Sequence, residues 1–172
     1  MRSLSVLFET LFAMPIPTVA AVNGAAIAGG CILACCCDRR LAAEGARLGA
    51  TELAVGVAFP VAALEVLRHA CGERTEAVVY GAGLYQDEAA VAAGLVHEVV
   101  APHDLLDRAT AVAAEWAARP AEPFRLAKLQ LRRPVLAAMA ADGPGIDPQA
   151  AEVWIDPATV AGARATLEAR SR

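Results

Sequence analysis

Aromatic residues are scarce, and so is any surplus of positive charge. Phe, Trp and Tyr make up 5% of the 172 residues, too few for a platform on which nucleobases stack. Lysine and arginine number 15 against 19 aspartates and glutamates, a net charge of −4. The basic pairs Arg39-Arg40 and Arg132-Arg133 stand alone, so no basic field exists and no nucleic-acid partner is expected. Internal repeats are missing, as is any low-complexity block beyond a bias to alanine. Cysteine is present five times, but not in a pattern that builds a framework. The number is odd, and Cys35-Cys36-Cys37 would point in three directions on a helix, which suits neither disulfides nor a Cys-x-x-Cys metal site. Cys31 and Cys35 lie one turn apart, so a metal pair is conceivable. The plainer reading is small apolar filler in a reducing cytosol, with Cys71 alike and no metal bound.

What is abundant is apolar chain. Hydrophobic residues reach 57%, above the usual ~45–50%, with alanine supplying much of the excess. At this length the chain is one domain with a real core. Thr10 to Cys37 carries no charge and is long enough to span a bilayer. Pro15, Pro17, Asn23-Gly24 and Gly29-Gly30 interrupt it, and Glu9 interrupts the apolar run that a signal peptide would need. A soluble cytoplasmic protein without a membrane partner is therefore expected.

Periodicity places a helix over Ser3–Ala13, stopped by Pro15 and Pro17. A strand over Thr18–Val22 follows, ended by Asn23-Gly24, the dipeptide that most readily supplies positive φ. After a loop of small residues comes an apolar helix over Cys31–Cys37, which must be buried because it has no polar face. Arg40–Ala43 reads as a strand and Glu44-Gly45 as a turn. Helices are expected from Pro60 to Ala70, Arg74 to Tyr80 and Gln86 to Ala93, the last capped by Gly94. A strand over Leu95–Val100 and a helix over Pro102–Ala118 come next. Pro120 and Pro123 break the chain before Phe124–Arg132, and Asp142-Gly143-Pro144-Gly145 reads as a linker. The last helix, Pro157–Ala169, has Asp156 as N-cap.

The stretch from Pro17 to Glu52 carries the chemistry. Gly29 and Gly30 sit where a strand hands over to a buried helix. Glycine lets a ligand approach the backbone, and the first N–H groups of a helix have no internal partner and favour negative charge. That is a candidate oxyanion site. Glu52, among Ala50, Leu53, Ala54 and Val55, is a carboxylate that burial would turn into a general base of raised pKa. On composition alone a cap or ion-pair glutamate is the plainer reading. His69, His97 and His103 read as surface or cap residues, and no nucleophile accompanies them. Tyr80 and Tyr85 read as packing.

Val19-Ala20-Ala21-Val22-Asn23-Gly24, Ala28-Gly29-Gly30-Cys31, Cys37-Asp38, Thr51-Glu52-Leu53, Gly94-Leu95-Val96 and Leu126-Ala127-Lys128 occur in the order and spacing of one family. The chain resembles the enoyl-CoA hydratase/isomerase (crotonase) superfamily over about Pro15 to Arg132. The resemblance implies an α/β crotonase-like β-β-α spiral over residues 1–118, truncated at its N-terminus, with a C-terminal helical region over 119–172. It implies catalysis by Glu52 and Gly29, with Gly29 and Gly30 forming the oxyanion and helix N-terminus. Ala25, Ile27, Ile32 and Lys128 are the implied substrate contacts, with Lys128 near the CoA phosphates or else a plain solvated lysine. No cofactor is implied beyond coenzyme A as part of the substrate. The partners implied are an acyl-CoA and further copies of the chain, as a trimer or a dimer of trimers.

The sequence departs from hydratases of the family at Ile32, where they carry a first catalytic carboxylate. Hydration calls for one group to activate water and another to handle the proton at C2, and isoleucine does neither. Moving a double bond needs one base, so isomerisation of a Δ3-enoyl-CoA to Δ2 is expected in preference to hydration. The resemblance also implies roughly 70–90 further residues ahead of Pro17, including a loop that donates a second oxyanion N–H. The loss of one such donor costs about 3 kcal/mol. The alternative is a truncated, catalytically impaired protein that serves as an interaction module or is a gene remnant.

Overall fold

From Val19 onward the backbone repeats a strand–strand–helix unit, each round stacking on the one before. The computed structural model describes residues 2–170. Helix α1 (Arg2–Phe12) leads into β1 (Val19–Val22), β2 (Ala25–Ile27) and α2 (Gly29–Cys35). The next round is β3 (Arg39–Ala43), β4 (Arg47–Gly49), a 3-10 turn over Glu52–Val55 and α3 (Val61–Cys71). Two short helices, α4 (Thr75–Gly81) and α5 (Asp87–Ala92), precede β5 (Glu98–Val100). Helices α6 (Leu105–Ala117), α7 (Ala121–Ile155) and α8 (Pro157–Arg170) complete the described chain.

All strand pairing between these elements is parallel. β1, β3 and β5 form one sheet in that order, and β2 and β4 form a second. Val19 pairs with Arg39 and Ala25 with Arg47, so both strands of one round lie beside their counterparts in the next. This is the expected spiral. The period-two rule decides what each face meets. Leu41 and Ala43 pack toward Leu105 at the start of α6, while Val22 and Ala42 face the main core. In that core Phe8 and Phe12 of α1, Ile32 and Cys35 of α2, and Val66 and Leu67 of α3 are all buried at 2% exposure or less.

Four local expectations are corrected. β2 arises in a stretch read as loop and β4 in one given no element, because three-residue strands leave no periodic signal. Asn23-Gly24 does not turn through positive φ; Ala28 does, at φ 53°. The strand expected over Leu95–Val100 begins at Glu98, since the N–H groups of Leu95 and Val96 both donate back to the Ala90 carbonyl of α5. The linker expected at Asp142–Gly145 does not exist, for it lies inside the 35-residue α7, which also contains Pro134, Pro144 and Pro148.

An interior proline removes a hydrogen bond and disfavours helix by about 3 kcal/mol, so tertiary contacts must hold this segment. The Asp147 carboxylate accepts from the Val61 N–H at the start of α3 (2.9 Å) and from the Ser5 hydroxyl of α1 (2.8 Å). Met139 and Ala150 are buried on the same helix, and the Trp154 indole N–H donates to the Ala58 carbonyl. Asp156 ends α7 and caps α8 as expected, its Oδ1 accepting from the N–H groups of Ala158 and Thr159.

Candidate active site

The C-terminal ends of β2 and β4 lie side by side. Ile27 pairs with Gly49, and one residue further the Ala28 N–H donates to the Gly49 carbonyl at 2.8 Å. Each chain then leaves its strand at the same edge. The first turns into α2 through Gly29-Gly30; the second enters the 3-10 turn through Thr51-Glu52. Parallel neighbours are ~4.8 Å apart, so the register alone brings the start of α2 and Glu52 into one corner.

Ala28 has φ 53° and ψ −125°, a conformation that non-glycine residues avoid. Its carbonyl accepts from the N–H groups of Cys31 and Ile32. Both of its backbone groups are therefore committed, one to β4 and one to α2. Gly29 and Gly30 follow as the first two residues of the helix, where no intrahelical acceptor exists. Neither N–H has an acceptor among the described residues, and beyond the adjoining residues and the helix's own backbone no atom lies within 4 Å of where a side chain would begin. The backbone here is open to an approaching group, as a candidate oxyanion site requires.

Glu52 is 6% exposed. Its Oε2 is the one fully enclosed side-chain oxygen or nitrogen without a hydrogen-bond partner among the described residues. Burial pushes the Glu52 carboxyl up from 4.5 to about 7, and a hydrogen bond from its own backbone is too little to reverse this. The ion-pair reading is thereby set aside, since the side chain has no ion-pair partner among the described residues. Its main chain is fixed instead: the Glu52 carbonyl accepts from Val57, and Gly56 closes the turn at φ 73°. The Cys31 thiol lies near enough to feel the carboxylate, although its strong upward shift comes first from the hydrogen bond with Cys35 and from burial. All five cysteines are buried and unbridged.

The remaining expected residues divide. Ala25 is exposed and Ile27 half-buried on β2, leading into the corner. Ile32 is 1% exposed. It presents no surface to a ligand; it fills the core behind the corner and brings no polar atom to it. The reading of Lys128 as a solvated lysine is corrected, for two of its three ammonium hydrogens are engaged inside the protein. Its Nζ donates to Asp38 Oδ2 (2.7 Å) and to the Ile16 carbonyl (2.8 Å), and the residue is 7% exposed. Arg132 donates to the same carboxylate at Oδ1 and to the Cys36 carbonyl just past the end of α2. A seven-residue helix is about 10 Å long, so this cluster lies at the opposite end of α2 from Gly29.

Sequence reading missed Arg40, which is 4% exposed and donates to the carbonyls of Leu95, Cys37 and Gly94. The signal was an arginine followed directly by Leu41-Ala42-Ala43 in a strand bordered by buried elements. His97 keeps an exposed edge while its Nδ1 accepts the Arg40 N–H at 3.1 Å. Partial burial and then the Arg40 charge hold it down at about 4. Among the described residues no group of three His, Cys, Asp or Glu side chains is placed to hold a metal, and no helix is long and apolar enough to cross a membrane.

Residues 2–145 match the family model for enoyl-CoA hydratase/isomerase. The chain belongs to the enoyl-CoA hydratase/isomerase family. It is 39% identical over 127 residues to a putative enoyl-CoA hydratase of Thermus thermophilus, covering 73% of this chain and 50% of the relative. An enoyl-CoA hydratase structure from Mycobacterium ulcerans superposes at a TM-score of 0.80 with 34% identity, covering 86% of this chain and 65% of that one. The human mitochondrial Δ3-Δ2-enoyl-CoA isomerase shares the fold over 99% of this chain and 67% of its own, at a TM-score of 0.89 and 22% identity. The crotonase fold is thus established, and the chain spans about half the length of the curated relatives it matches.

Proposed function

We propose that this family member moves a double bond in an enoyl-CoA thioester, with Glu52 as the only acid/base. The observation that carries the reading is the enclosed, unpartnered Glu52 carboxyl, poised at about 7; by resemblance, Ile32 stands in the chain where hydratases of the family carry another carboxylate. A base of that pKa is half-ionised at neutral pH and transfers a proton in either direction with little driving-force penalty. The Glu52 carboxylate takes a proton from C2 of a 3-enoyl thioester. Electrons shift onto the thioester oxygen, giving a dienolate whose negatively charged oxygen accepts a hydrogen bond from the Gly29 N–H, with Gly30 at the next position. The protonated Glu52 then returns the proton at C4, leaving the 2-enoyl thioester and a regenerated carboxylate.

No redox change and no water enter this cycle, so coenzyme A is needed only as part of the substrate. Ala25 and Ile27 would border the acyl chain. A homo-oligomer, trimeric or a dimer of trimers, completes the reading and rests on family membership, with the cytoplasm as the default location. Several relatives are named as hydratases, but here Ile32 brings no group to activate water.

The decisive assay presents purified protein with a 3-enoyl-CoA and, separately, a 2-enoyl-CoA, beside Glu52→Gln. Isomerisation abolished by the substitution, without hydration, is expected. Hydration of the 2-enoyl-CoA would overturn the role given to Ile32. The second reading is a catalytically impaired crotonase-fold protein that serves as an interaction module. Silence on both substrates from folded protein would favour it.

A further inference from the structure

Away from Glu52, a cleft of about 370 Å³ opens between α3, α6, α7 and the β3–β5 side of the sheet. None of Glu52, Gly29 or Gly30 lines it. Its charged lining is Arg40, Lys128 and Arg132 facing the single carboxylate of Asp38, with Trp116 and Phe124 as apolar walls. The three cations are each 7% exposed or less. Lys128 and Arg132 share Asp38 (2.7 Å each), whereas Arg40 is satisfied by main-chain carbonyls and has no carboxylate within ion-pairing distance among the described residues.

Two positive charges are thus left over in a site largely withdrawn from water. Neither imidazole at the rim offsets them, and both are disfavoured as cations. Burial first, and the arginines after it, hold His69 and His97 below their ordinary value, His97 at about 4. Buried charge without a counter-charge is unfavourable, and a bound anion would relieve it. Donors remain for one: the third N–H of Lys128 and the Nε–H of Arg132 have no acceptor among the described residues.

We propose that this cleft binds a small organic anion, a carboxylate with a planar apolar body that lies between Trp116 and Phe124 and sets its charge against Lys128 and Arg132. The size supports that class. At about 30 Å³ per water the cleft holds the volume of roughly twelve waters, enough for a molecule near ten heavy atoms and far too little for a coenzyme A thioester. The site is therefore separate from the acyl-CoA reading and stands or falls apart from it.

The test uses Trp116 as reporter in a Trp154→Phe background, titrated with benzoate and with its neutral analogue benzamide. Saturable change in Trp116 emission by benzoate is expected, with benzamide at least about tenfold weaker. Lys128→Met should weaken benzoate by a similar factor. Ala127→Phe, on the exposed wall of the cleft, should abolish binding while leaving the far-UV spectrum unchanged, so a result survives even if Lys128→Met fails to fold. No saturable response up to tens of millimolar, equal binding of benzamide, or an unaltered Ala127→Phe would overturn the proposal.

Discussion

Replacing Glu52 by glutamine removes one titration and almost no volume, which makes its effect on stability calculable. The folded carboxyl titrates at about 7 against 4.5 as its ordinary value. Between those two values the folded state keeps a proton that the unfolded chain has released. Stability therefore falls as pH rises through this window, and the full contribution is present only below 4.5. At 1.36 kcal/mol per pH unit the difference amounts to about 3 kcal/mol. Glutamine is neutral throughout, as is the protonated glutamic acid it replaces. The two proteins should be of similar stability near pH 4.5, and Glu52→Gln the more stable by about 3 kcal/mol at pH 8. With a urea m-value of about 2 kcal/mol/M, that is a midpoint displacement near 1.5 M. Urea unfolding of both proteins at several pH values measures it, and every other titrating group cancels in the difference. A difference that stays flat from pH 4.5 to 8, or a wild type more stable at pH 8, would refute the account of an unpartnered buried carboxyl. The stabilising substitution is also the one expected to abolish isomerisation, and in the wild type kcat/KM should rise with pH until the carboxyl has ionised near 7, then level.

Asp38→Ala leaves Lys128 and Arg132, with side chains 7% and 5% exposed, facing each other without a counter-charge. It should destabilise the fold by about 3–5 kcal/mol in chemical denaturation, and a loss below 1 kcal/mol would contradict the pairing. Gly49→Ala would put a Cβ 2.2 Å from the Gly83 carbonyl oxygen, so β4 must shift. A loss of about 1–3 kcal/mol with a fall in kcat is expected, since Gly49 also anchors Ala28; unchanged stability and rate would count against that register. Ala28→Gly relieves a backbone strained by roughly 1–3 kcal/mol at an entropic cost of about 0.5–1 kcal/mol. A net gain near 1 kcal/mol should appear in the thermal midpoint, and a marked loss would show that the Ala28 methyl contributes packing.

How far the fold was legible varied with the length scale of the signal. The helices over Ser3–Ala13, Pro60–Ala70 and Pro102–Ala118 were visible because each buries one stripe, and the observed elements differ from them at the ends by three residues or fewer. β2 and β4 were not, because at three residues apiece they are defined by the parallel partner across the gap rather than by their own pattern. At Asp142–Gly145 every local preference argued for a break. Asp147 overrides it by bonding to α1 and α3, and Met139 by joining the main core, contacts that no window of sequence contains.

The same division runs through the candidate site. The order of residues determined that Gly-Gly opens a buried helix, that a lone glutamate follows among apolar neighbours, and that an isoleucine, not a carboxylate, follows Gly-Gly-Cys. Those are statements about residue type along one chain, and the family's motif order is made of them. Only the tertiary structure decided that Glu52 has no partner, that Ala28 rather than Asn23-Gly24 makes the strained turn, and that Lys128 and Arg132 are bound to Asp38 at the other end of α2. The physical reason is that a charge's solvation and partners come from groups distant in sequence, 90 positions apart for Lys128 and Asp38, and are settled only when the spiral closes around them.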